Sequence, residues 1–238
     1  MKFQFLTIFP DIFDSYFGKG MMRIAIEKKI IKTKIHNLRD FAVDNRGTVD
    51  DRPYGGGPGQ VMMVEPIYKA LLKLQKEKER NSKTSKTSET SITTVRKNTK
   101  VKIVLLSAKG KKWDQQMAQK FSKLDEIVFI CPRYEGHDAR IEKMVDEQIS
   151  IGDFILTGGE LGAMVITDSI TRLLPGVLGK QESLDEESHS TPGYLEYPHY
   201  SRPEIFKFKN RNLRVPKVLL TGHHKNISEW RKSTSQNS

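Results

Sequence analysis

The sequence has a single cysteine, Cys131, so no internal disulfide can form, and nothing stands beside it at metal-ligand spacing. That excludes a disulfide-stapled scaffold and a cysteine zinc site, and a reducing cytoplasm is the expected setting. No run of about 18 or more apolar residues occurs, so no membrane span is expected. Residues Met1 to Pro10 carry one lysine and alternate apolar with polar, unlike the long apolar stretch of a secretory leader. Two common nucleotide-binding loops are also missing. No GxGxxG follows the first strand-like run, and no GxxxxGK[ST] occurs anywhere. Acids are outnumbered, with 29 Asp and Glu against 40 Lys and Arg for a formal net charge of +11. A polyanionic partner is implied, nucleic acid first among them. Many of the lysines lie between Lys76 and Lys100, yet the chain stays basic without that stretch.

A chain of 238 residues holds one large domain, or a large one and a small one. Residues 2 to 9 alternate like a strand, and Pro10-Asp11 opens a helix carrying Ile12, Phe13, Tyr16 and Phe17. Met21 to Ile31 has helical spacing, and residues 34 to 38 return to strand alternation. Residues 44 to 60 are rich in glycine and proline, so no regular element is expected there. A helix is predicted from Glu65 to about Glu79. The serine, threonine and lysine tract that follows, about 80–100, has too little apolar content to offset its ordering entropy and reads as a flexible insertion. VKIVLLS and EIVFIC are dense β-branched runs suited to buried parallel strands, with the helical WDQQMAQKFSKL between them. Asp146 to Ser150 is a further short strand, and Glu160 to Leu174 a helix. The sum is an α/β domain. An acidic, serine-rich stretch then separates it from a shorter basic segment, which divides the chain into 1–178, a linker at 179–193, and 194–238.

Loops outside the carboxyl ends of parallel strands form the usual ligand crevice of such sheets. Here these are LLSAKG at 105 to 110, CPRYEG at 131 to 136 and SIGDFILTGGE at 150 to 160. Glycines in them let a backbone approach a ligand closely, and free amides can bond the polar edge of a purine.

The stretches DNRGTVDDRPYGGGPGQVMM, ICPRYEGHDARI, SIGDFILTGGELGAM, RLLPGVLG, YPHYSRP, VPKVLLTGHH and ISEWR resemble, in order, the bacterial tRNA (guanine-N1)-methyltransferases. The resemblance covers most of the chain outside the insertion. It implies a SPOUT-class, S-adenosylmethionine-dependent fold: a knotted parallel sheet with flanking helices, plus a small, mainly helical C-terminal domain. It also implies a homodimer that methylates N1 of the guanosine 3′ of the anticodon, position 37 of tRNA. The cofactor-holding positions it implies are Leu105, Leu106, Ser107 and Ala108; Pro132, Arg133, Tyr134, Glu135 and Gly136; and Ser150, Ile151, Gly152, Asp153, Phe154, Ile155 and Leu156 with Gly158 and Gly159.

N1 of guanine carries a proton that must leave before it can attack a sulfonium methyl, so a base is needed. Where the family has Asp-Ser-Phe in the linker, this chain has Glu187-Ser188-His189. Glu187 is the expected base, with Asp185 second because linkers align loosely. Arg172 is expected to stabilise charge growing on O6. Pro132 stands where the family has glycine, which removes one N–H but keeps the carbonyl. For the tRNA, the expected contacts are Arg46, Asp50, Arg52 and Tyr54, then His199, Tyr200, Arg202, His223, His224, Trp230 and Arg231. Magnesium enters only as a candidate assistant near Glu135, since no spacing here makes a metal site. The competing readings are a knotted methyltransferase for ribose or ribosomal RNA, and an RNA-binding protein that has lost the reaction.

Overall fold

The computed structural model describes residues 1–81, 100–178 and 187–237. Two compact units result, Met1–Gly179 and Lys180–Ser238. Asp185, the linker positions 179–186 and the stretch 82–99 of the expected insertion lie outside the described residues.

The first unit begins with strand β1 (Lys2–Thr7), a 3-10 turn (Pro10–Phe13), helices α1 (Asp14–Phe17) and α2 (Gly20–Glu27), and strand β2 (Lys32–Asn37). A second turn (Leu38–Phe41) leads to two-residue strands β3 (Asp50–Asp51) and β4 (Val61–Met62), then helix α3 (Val64–Asn81). Strand β5 (Val101–Lys112), helix α4 (Gln115–Phe121), strand β6 (Glu126–Ile130), a turn (Ala139–Met144), strand β7 (Glu147–Ser150) and helix α5 (Glu160–Thr171) complete it. The sheet runs β2-β1-β6-β5-β7, and every pairing is parallel.

Side-chain parity along the strands sends alternate residues into two cores. On one face Phe5 packs against Phe13 at 4.6 Å and Phe129 at 5.4 Å between ring centroids, with α2, α4 and α5 supplying the rest of that core. On the other, Leu6, Ile103, Leu105, Val128 and Ile130 meet Ile67, Leu71 and Leu74 of α3. Burial on both faces explains why VKIVLLS and EIVFIC are nearly continuous apolar runs.

Two expectations are corrected. Residues 105 to 110 are not simply a loop, because β5 continues to Lys112: Leu106 pairs with Ile149, the chain leaves the ladder, and Lys111 pairs with Ile149 again. Residues 44 to 60 also hold a regular element, since Asp50 and Asp51 pair with Met62 and Val61.

The second unit contains β8 (Tyr194–Leu195), β9 (Ile205–Phe208), β10 (Arg211–Arg214), α6 (Lys217–Leu220), α7 (His224–Thr234) and β11 (Gln236–Asn237). Beside its helices it carries two antiparallel pairs, β9 with β10 and β8 with β11. The β9–β10 turn has no glycine; Lys209 supplies the left-handed residue instead, at φ 53°.

A polar ladder crosses the α3 face of the large sheet. The Gln4 amide nitrogen donates to Glu126, which leaves its oxygen to accept from His36 Nε2 at 2.9 Å, and Lys78 meets Glu126 at 3.1 Å. Burial first, then the charge of Lys34, lowers the His36 pKa from 6.5 to about 4. The unfolded chain gains a proton below pH 6.5 that the folded chain refuses until about pH 4, so stability is lost as pH falls through this window. Urea unfolding at pH 7, 5.5 and 4 is expected to show a shallower acid loss for His36→Gln than for wild type; parallel profiles would contradict a neutral buried His36.

Candidate active site

The loops that follow β6 and β7, together with residues 106 to 109 where β5 leaves its ladder with β7, surround a cavity of about 380 Å³. Its walls include Leu106 to Ala108, all residues from 132 to 136, Ser150 to Gly152, Phe154 to Leu156, Gly158 and Gly159. Two positions assigned to the cofactor lie elsewhere. Leu105 is buried in the α3-side core, because strand parity turns it away from its neighbour Leu106. Asp153 is exposed and pairs with Lys112. Lys109, His137, Glu142, Thr157 and Gly162 line the cavity without having been anticipated. Lys109 and Thr157 sit inside loops already singled out, and His137 lies within the ICPRYEGHDARI motif, whereas Glu142, 3.4 Å from it, falls just beyond that motif.

A buried ion pair braces the floor. Glu160 opens α5 with 0% exposure, and its two oxygens accept from Thr7 Oγ1 at 2.7 Å and Arg133 Nε at 2.9 Å. Arg133 also reaches the Thr157 carbonyl at 3.3 Å and lies 4.7 Å over the Phe9 ring. One guanidinium therefore ties the second loop, the third loop and the end of β1 together. The pair is satisfied at both ends, as a charge removed from water requires. Burial, and then the Glu160 charge, push the Cys131 thiol well above its usual pKa, so it stays protonated and unreactive.

The glycines beside this pair serve the protein's own packing. A Cβ on Gly158 would lie 2.1 Å from Arg133 Nε, and one on Gly159 would lie 2.8 Å from Cys131 Cα. Their smallness makes room for Arg133 and the end of β6, and both also line the cavity. The Pro132 carbonyl accepts the Gly159 N–H at 2.9 Å, so it too is engaged within the loops.

Tyr134 is held left-handed at φ 62°. Burial raises its pKa, as does a hydrogen bond to Asp50. Asp50, expected to meet RNA, thus anchors a residue of the cavity wall. The glycine-rich segment is stitched to the same loop: Glu135 N–H donates to Gln60 O at 3.0 Å and Met62 N–H to Gly136 O at 2.9 Å. A second cleft of about 660 Å³ opens there between Arg52, Gly56, Gly57, Gly59, Gln60, Tyr134 and Glu135. Tyr134 and Glu135 belong to both hollows. Arg46 is exposed, in a turn organised by the Asp44 carboxylate, and Tyr54 is 102% exposed. Arg172 is half-buried at the C-terminal cap of α5.

Within the second unit, Glu187 is half-buried and its carbonyl accepts from Ser190 N–H at 3.0 Å. Arg231 lies 4.7 Å over the Tyr197 ring, Tyr197 is 4.9 Å from His199, and Tyr200 is 6.3 Å from Trp230. Tyr197 had not been singled out. Arg202, His223 and His224 are exposed. Among the described residues no three His, Cys, Asp or Glu gather as a metal site, and no helix is long and apolar enough to cross a membrane.

The family described as "tRNA (Guanine-1)-methyltransferase TrmD" matches residues 1–238. Curated tRNA (guanine-N(1)-)-methyltransferases of Bacillus cereus strain AH820 and Bacillus anthracis strain CDC 684 are each 44% identical over 236 residues, spanning 99% of this chain and 87% of theirs. The crystal structure of the tRNA (m1G37) methyltransferase from Aquifex aeolicus superposes with a TM-score of 0.72 at 37% identity, over 97% of this chain and 87% of that one. A parallel sheet bearing a cavity of strand-end loops, with this likeness, defines a methyltransferase of the SPOUT class. The chain belongs to the tRNA (guanine-1)-methyltransferase family. S-adenosylmethionine is the methyl donor general to that class.

Replacing Gly158 with alanine forces the Arg133 guanidinium off its seat and strands the Glu160 carboxylate. Stability is expected to drop by about 3 kcal/mol. Calorimetric affinity for S-adenosylmethionine is expected to fall at least about tenfold, since the second and third loops lose their tie. A Gly158→Ala protein with wild-type melting and wild-type affinity would refute the bracing role.

Proposed function

We propose that this chain works as a knotted homodimer in the cytoplasm and transfers a methyl group from S-adenosylmethionine to N1 of the guanosine 3′ of the anticodon, position 37 of tRNA. The observation that carries this reading is the cavity lined by β5 and the loops after β6 and β7, in a chain matching the family along residues 1–238. A cavity of about 380 Å³ with apolar Leu106, Ile151 and Ile155 beside polar loop backbone suits a ligand of this size and mixed character. When bound there, the donor supplies an electrophilic methyl on a sulfonium.

Glu187 takes the N1 proton, with Asp185 the second candidate, while the Arg172 guanidinium offsets negative charge on O6. N1 then bonds to the methyl carbon as the carbon–sulfur bond breaks, and the sulfur keeps that electron pair. Arg133, held by Glu160, fixes the loops against which the reacting groups line up, and fixed geometry contributes much of such rate enhancements. The knot is supported by the double pairing of Ile149. Between those two pairings residues 107 to 110 leave the ladder and return to the same residue of β7, the kind of excursion that a crossing of the chain uses. The dimer is supported by exposed apolar Leu161 and Val165, one turn apart on α5. Arg46, Arg52 and Tyr54, and in the second unit His199, Tyr200, Arg202, His224, Trp230 and Arg231, contact the tRNA.

The test is methyl transfer from labelled donor to a tRNA transcript with guanosine after the anticodon, beside one with adenosine there. Label is expected in the first only, and Glu187→Gln should slow transfer by about 10²- to 10⁴-fold. Full activity in that variant would move the base to Asp185, and no label in either transcript would leave an RNA-binding protein.

A further inference from the structure

We propose that the β9–β10 hairpin is a stacking surface for unpaired nucleotides of the substrate tRNA, a reading that rests on the tRNA assignment above. Residues 205 to 214 are all exposed. The register places Phe206 opposite Leu213 and Phe208 opposite Arg211, so these four side chains share one face of the ribbon. Phe206, Phe208 and Leu213 are 55%, 52% and 53% exposed, an apolar strip with nothing among the described residues laid over it. A lone two-stranded hairpin has no core of its own to justify such a strip.

Charge selects the occupant. Between Ile205 and Ser228 there is no Asp or Glu, against six Lys and Arg. Lys209 Nζ sits 5.6 Å from the Phe208 ring centroid, so cation and ring are presented together. A second copy of the chain would press a patch carrying Arg211 and Lys209 against the same cation-bearing patch, because a two-fold interface is self-complementary. Lysine is also depleted in the cores of protein interfaces. Rings flanked by cations instead match single-stranded RNA, in which bases stack on aromatic faces and phosphates seek lysine and arginine. Base-paired RNA offers no free base face to such a strip.

The experiment uses the full chain without the methyl donor, measuring affinity for the tRNA transcript, a single-stranded oligoribonucleotide and an RNA duplex of equal length across a salt series. Phe206→Ala with Phe208→Ala is expected to weaken tRNA and single-strand binding at least about tenfold and leave duplex binding unchanged. Phe206→Trp with Phe208→Trp should restore binding. Lys207→Ala with Arg211→Ala should instead flatten the salt dependence, by about 0.7 in log–log slope per cation removed. Wild-type affinity in the phenylalanine variant, equal losses on duplex and single strand, or a change in sedimenting species in place of RNA affinity would each overturn the proposal. The last outcome would make the strip an interface between copies. Because binding is read without methyl transfer, failure of the activity in the labelling assay and failure of the hairpin's role are separate results.

Discussion

Ile149 has two β-partners, and the ligand cavity depends on that double pairing. Strand β5 meets it at Leu106, departs, and meets it again at Lys111. Residues 107 to 110 are therefore pinned at both ends against one strand, and a Cβ on Gly110 would lie 2.5 Å from the Ile149 backbone nitrogen. No larger residue fits without moving β5 away from β7. The third loop leaves directly from the same strand, where Trp113 N–H binds the Ser150 carbonyl at 2.8 Å. Two walls of the cavity are thus set by one strand of four residues.

The remaining wall is brought in by charge. Arg133 and Glu160 come from the second loop and the start of α5, and Thr7 and Phe9 come from β1 and its exit. Buried pairs of this kind add little net stability compared with apolar packing, but breaking one is costly. The arrangement therefore acts as a positional lock more than as a source of stability. Tyr134 extends it outward. With its backbone left-handed and its hydroxyl on Asp50, it belongs to the cavity and to the neighbouring glycine-walled cleft at once.

The strands were readable because burial on both faces leaves dense runs such as VKIVLLS, and the helices because their apolar residues recur at helical intervals. Boundaries differed by a residue or a few, as at α3, which starts at Val64 and ends at Asn81. What escaped was direction and partnership. Leu105 and Leu106 look equivalent in sequence, yet one residue of parity sends them to opposite sides of the sheet. The hairpin was missed because its turn is Lys209-Asn210, without the glycine that normally marks one. At Gly158 nothing in the sequence marked its second neighbour, since only the fold brings an arginine from 25 positions earlier to within contact.

By itself the sequence determined the chemistry available: a basic chain, an α/β pattern, glycine-bearing loops after two of its strands, and motifs in the order of one enzyme family. Those are properties of composition, period and local order, which need no long-range contact to exist. Tertiary structure alone decided which loop residues face one cavity, that β5 meets β7 twice, and that a buried glutamate selects the orientation of Arg133. The physical reason is separation along the chain. Thr7 and Glu160 lie 153 residues apart, and a hydrogen bond between them exists only once the parallel sheet has carried the strand ends to the same edge.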